Sequence, residues 1–80
     1  MSYCRCSDTN DVYVWCGIKY QVHLCMGKKE VLDRAFTFGV ELDESFETAK
    51  ETFDYLIKLR KLGFKIPQYA ISRLQQEFTQ

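Results

Sequence analysis

Net charge is the first thing missing. Eleven basic and eleven acidic residues cancel in a chain of 80. No global field therefore draws in nucleic acid or an anionic membrane, and the balance argues against a wholesale acidic mimic of DNA. Long apolar runs are missing too. None approaches the roughly 18 residues needed to span a bilayer, and Met1-Ser-Tyr-Cys-Arg-Cys6 lacks the apolar core of a signal peptide. The expected location is the cytoplasm, with no membrane partner and with Cys4, Cys6, Cys16 and Cys25 reduced. Histidine and tryptophan occur once each. No acid neighbours His23 in sequence, and no nucleophile elbow, phosphate loop or dinucleotide fingerprint occurs. A short chain also leaves little room for a concave site lined by perturbed groups, so an enzyme is not expected. Repeats, low-complexity tracts and linkers are lacking, and residues 1–80 read as one domain.

What the chain has is apolar bulk. Hydrophobic residues make up 46% and aromatics 15%, too much for a disordered chain. The organising stretch is Asp11-Val-Tyr-Val-Trp-Cys-Gly-Ile-Lys-Tyr-Gln-Val-His-Leu-Cys25, which reads as a β-hairpin of residues favoured on a pleated surface. Two registers are open. A two-residue turn at Gly17-Ile18 puts Tyr13, Trp15, Tyr20, Val22 and Leu24 on one face. A three-residue turn instead gathers Val12, Val14, Cys16, Tyr20, Val22 and Leu24, and turns Tyr13, Trp15, Gln21 and His23 outward. Burial of the aliphatic set favours the second. Before the hairpin, residues 1–10 read as an arm or edge segment, with turn chemistry at Ser7-Asp-Thr-Asn10.

After the hairpin, the alternation of Phe36 and Phe38 predicts a third strand. From Ser45, a plausible N-cap, Phe46, Ala49, Phe53, Leu56 and Ile57 follow helical spacing, and Gly63 fits a left-handed stop. Pro67 opens a second helix at its first position. The expected fold is α+β: a three-stranded antiparallel sheet (about 11–16, 19–26 and 34–39) packed by a long helix (about 45–62) and a short C-terminal helix (about 67–78).

Three constellations could carry chemistry. Cys4, Cys6, His23 and Cys25 could converge on zinc if the arm folds back, since the two-residue register sets Cys25 opposite Asn10. Their spacings match no recognised zinc knuckle, and small buried hydrophobes are the plainer reading. Glu41, Asp43, Glu44, Glu47, Glu51 and Asp54 crowd the start of the long helix, while Lys58, Arg60, Lys61 and Lys65 crowd its end. That is a docking patch or simply a match to the helix macrodipole. The aromatics, finally, exceed what a small core comfortably encloses, and Tyr and Trp are favoured interface anchors.

At Met1-Ser-Tyr-Cys-Arg-Cys-Ser7 and Asp11-Val-Tyr-Val-Trp15 the chain resembles small proteins of tailed bacteriophages and prophages, which open with an SYCR-type segment and a DVYVY-type strand. The resemblance resumes at Leu62-Gly-Phe-Lys-Ile-Pro-Gln-Tyr-Ala-Ile-Ser-Arg-Leu74 and covers about half the chain. Such proteins carry a cysteine cluster and an H-L-x-x-H helix pattern that suggest a zinc site. Here the corresponding positions are Tyr55 and Leu59, with only Cys25 near the strand end, so apolar packing replaces those ligands. The resemblance implies a phage accessory protein acting in the host cytoplasm on a defence system such as CRISPR–Cas.

The expectation is thus a stoichiometric inhibitor of a host protein or ribonucleoprotein complex. It would bind through Tyr13, Trp15, Gln21 and His23, helped by Glu44, Glu47 and Glu51. The alternative is a zinc-stabilised or nucleic-acid-associated regulatory module using the four zinc candidates and the basic 58–65 segment. A homodimer through a free sheet edge is a third possibility.

Overall fold

The hairpin register sets every other surface of the molecule. In the computed structural model, which describes residues 1–79, β1 (Ser2–Cys4), β2 (Val12–Cys16) and β3 (Tyr20–Leu24) form successive antiparallel strands. Val12 pairs with Leu24, Val14 with Val22 and Cys16 with Tyr20, leaving Gly17, Ile18 and Lys19 as the turn. This is the three-residue register. Val12, Val14, Val22 and Leu24 are all buried on one face, and their aliphatic area is what opposes a one-residue slip. The N-terminal arm supplies β1, an edge strand that pairs with β2 across an irregularity between Ser2 and Cys4.

Two expected elements are corrected. Residues 34–39 are not a strand; they fall in α1 (Lys29–Phe38) and its cap. Val31 and Ala35, four apart, are the pair it buries, whereas Phe36 is 86% exposed and Phe38 51% exposed. The alternation of the two phenylalanines therefore reports no buried strand face. Gly39 ends the helix at φ 66°, where Val40 N–H donates to Ala35 O. The long helix likewise does not begin at Ser45. Asp43-Glu-Ser-Phe46 is β4, antiparallel to β3, with Ser45 opposite Gln21. Among the described residues the sheet has four strands in the order β1-β2-β3-β4. α2 (Ala49–Lys61) starts at Thr48, whose hydroxyl accepts from Glu51 N–H while the Glu51 carboxylate accepts from Thr48 N–H. This capping box satisfies two otherwise orphaned donors.

At the other end of α2, Gly63 takes φ 104°, with Gly63 N–H bonded to Arg60 O and Phe64 N–H to Leu59 O. That double bond pattern is the Schellman stop, and Phe64 is buried as the motif prefers. Pro67 stands at the N-cap of α3 (Gln68–Phe78), one place earlier than expected. Glu77 near the end of α3 accepts from the phenols of Tyr3 and Tyr20, the latter at 2.6 Å, which ties the helix to the sheet. That hydrogen bond, helped by burial, pushes the Tyr20 phenol up to about 12; Tyr3 is raised further, chiefly by burial. Leu56, Leu59, Ile71 and Leu74 join the buried strand residues in one core on the inner face. No described helix is long and apolar enough to cross a membrane.

One buried acid holds the connections together. Asp11 is 1% exposed. Its carboxylate accepts from Lys28 Nζ at 3.0 Å and from Lys65 N–H at 2.8 Å. Its backbone N–H donates to Lys65 O and its carbonyl accepts from Cys25 N–H. A single residue thus joins the start of β2, the approach to α1 and the α2–α3 corner.

Candidate functional site: the outer face of the sheet

Strand alternation decides what the outer face carries. With the aliphatic residues of β2 and β3 turned to the core, Tyr13 and Trp15 point away from it, and so do Gln21 and His23. β4 adds Asp43 and Ser45. Cross-strand pairing arranges these as two rows: Tyr13, His23 and Asp43 in one, Trp15, Gln21 and Ser45 in the other. The four outer residues of β2 and β3 are half-buried, neither packed away nor fully loose in water.

Hydrogen bonds connect the rows. Trp15 Nε1–H donates to His23 Nε2 at 3.1 Å, so that nitrogen is the acceptor and Nδ1 carries the proton. Nδ1–H donates to Asp43. The indole and imidazole planes lie 12° apart, with centroids at 6.5 Å, and Tyr13 leans on the imidazole from 6.2 Å. In the second row Ser45 Oγ–H donates to Gln21 Oε1 at 2.8 Å. The turn shapes the patch as well: a Cβ on Gly17 would meet Trp15 Cζ3 at 2.8 Å, so only glycine lets the indole settle against the turn. The Asp43–His23 order resembles an acid–base pair, and here His23 Nε2 is occupied by the Trp15 indole N–H, so the bonds tie the aromatic surface together.

The predicted site residues divide. Tyr13, Trp15, Gln21 and His23 come together. Glu44, Glu47 and Glu51 do not join them. Glu44 faces the inner side of β4, where its charge and that of Glu41 add to burial in raising the Tyr55 phenol to about 12. Glu47 pairs with Lys19 at 3.1 Å, and Glu51 is spent on the α2 cap. Asp43 and Ser45, assigned to the approach of a helix by their sequence, are the residues that complete the face. The basic segment at the end of α2 is partly engaged within the chain: Arg60 donates to Gln68 and Lys65 to Asp8 O.

The zinc candidates are not assembled. Cys6 and Cys25 form a disulfide, with Cα atoms 5.8 Å apart, so neither is a thiolate ligand. This also overturns the expectation that all four cysteines are free. The three-residue register sets Cys25 opposite Asp11, and the tight turn bridging Ser7 and Asn10 brings Cys6 back to it. Cys4 instead lies in the core against Val12 O, and His23 has both nitrogens occupied. Among the described residues no three His, Cys, Asp or Glu side chains are placed to hold a metal ion. The disulfide lines an open groove of about 380 Å³ together with Tyr13, His23, Met26 and Lys28.

Burial pushes the Cys4 thiol up to about 11, leaving almost no thiolate near neutrality, whereas Cys16 is half-exposed. A thiol-exchange dye added to the oxidised protein at mildly alkaline pH is therefore expected to label Cys16 quickly and Cys4 only on unfolding. Two equally fast thiols would contradict the placement of Cys4.

Compared with protein-family models, with curated proteins and with solved structures, the chain matches none.

Proposed function

We propose that this chain is a small binding protein of phage origin that inhibits a host defence complex by stoichiometric contact, using the outer face of its sheet. The phage origin and the defence target rest on the resemblance carried by the SYCR-type and DVYV-type segments. The binding mode rests on one observation. Tyr13, Trp15, Gln21 and His23 share a half-exposed sheet face that no helix covers among the described residues, and hydrogen bonds to each other and to β4 hold three of them in place. Trp and Tyr dominate interface energetics, and side chains already ordered lose less entropy on docking. The indole over His23 Nε2 also supports binding over catalysis. The proposed place of action is the host cytoplasm, where Cys6–Cys25 would meet glutathione.

Capture from host lysate with wild-type protein and with Trp15→Ala tests the reading. A partner protein or ribonucleoprotein should be retained by the wild type and lost from the variant, with circular dichroism unchanged. Equal capture by both would move the working surface elsewhere.

A further inference from the structure

β4 pairs on one side only. Leu24 N–H donates to Leu42 O, which fixes the phase of the β3–β4 ladder. Leu42, Glu44 and Phe46 turn their backbone groups to β3, and Asp43 and Ser45 turn theirs outward. Among the described residues no strand lies beyond them. The side chains of these same two residues complete the outer face through His23 and Gln21, so edge and face are continuous. Beside the N-terminal end of this edge lies an apolar groove walled by Leu32, Phe36, Val40 and Leu42.

We propose that the open edge of β4 is a strand-addition site for an extended segment of a partner protein carrying lysine or arginine between apolar residues. The inference rests on the binding reading above and names the partner's local chemistry. Main-chain bonds to Asp43 and Ser45 supply attachment, and alternate side chains supply selection. The sign of charge comes from Glu41, Asp43, Glu44 and Glu47 along this short stretch, where Lys19 bonds Glu47, His23 bonds Asp43, and Glu41 and Glu44 have no basic partner among the described residues. A second copy of the chain is disfavoured as occupant, because antiparallel pairing of β4 with itself brings these acids against their own copies. An apolar residue of the added strand reaches the groove at Leu42 and Phe36.

The test uses three capped hexapeptides with the full-length protein: alternating lysine and valine, alternating glutamate and valine, and the lysine peptide N-methylated where its N–H groups would face β4. The lysine peptide should slow exchange of the Asp43 and Ser45 amides at least about tenfold, with the effect shrinking as salt rises. The glutamate and N-methylated peptides should do neither. Equal protection by the N-methylated peptide, or no protection by the lysine peptide, overturns the proposal. So does a dimer sealed through β4 without peptide. Loss of lysate capture in Trp15→Ala alongside a failed peptide result leaves the face standing and removes only the edge.

Discussion

Asp11→Ala lowers the unfolding free energy by about 3–5 kcal/mol, the cost of removing one partner from a buried charge pair. The carboxylate meets Lys28 Nζ and Lys65 N–H in a site where its own residue is 1% exposed. Alanine leaves the ammonium with Asn10 O as its remaining partner and no counter-charge, and it leaves the buried Lys65 amide without an acceptor, which carries a desolvation cost. Asp11→Asn keeps an acceptor for Lys65 N–H and should recover part of the loss. Urea unfolding followed by circular dichroism checks both. A loss in Asp11→Ala below about 1 kcal/mol, the scale of an exposed ion pair, would show that Asp11 does not anchor the three segments.

Cleaving Cys6–Cys25 has the next largest effect. The bond closes a loop with a sequence separation of 19, and the chain-entropy relation gives about 3 kcal/mol for a loop of this order. Cys6→Ser, or a reducing agent, should lower the urea midpoint accordingly while the protein stays folded. The fold survives because Asn10 and Asp11 hold the entry to β2 independently. Asn10 Nδ2–H donates to Arg5 O at 3.0 Å, and the Asp11 bonds do not involve the arm. Hydrogen exchange should accelerate over residues 5–9 and remain unchanged in β2 and β3. Superimposable unfolding curves before and after reduction would contradict this. The retained fold is also what action in a reducing cytoplasm requires.

Sequence reading succeeded where one physical effect dominates. The hairpin register was favoured by the aliphatic set Val12, Val14, Val22 and Leu24, which a two-residue turn would have split between the two faces. Gly63 announced the end of α2, since a left-handed residue there suits glycine alone. It failed where signals compete. In α1 the alternation of Phe36 and Phe38 outweighed the single buried pair Val31 and Ala35. In β4, Asp43-Glu-Ser-Phe46 has poor strand propensity and a single apolar residue, so its pairing with β3 is invisible locally; charge on a short edge strand is how edges avoid aggregation. Asp11 and the Cys6–Cys25 bond are long-range facts. Nothing near Asp11 in sequence points to Lys65, and the pairing of Cys25 depends on the hairpin register and on the Ser7–Asn10 turn together. The candidate face was legible in four of its residues, because they follow from the register. Asp43 and Ser45 required knowledge of β4.

The central claim is that the outer face of the sheet binds the partner. Titration calorimetry of the captured partner against wild type and Trp15→Ala tests it most directly. The account predicts at least about a 30-fold loss of affinity for Trp15→Ala, the size of an interface hot spot, with unfolding midpoint and circular dichroism unchanged. Affinity within about threefold of wild type, below the roughly 1 kcal/mol that marks a contributing side chain, would contradict it.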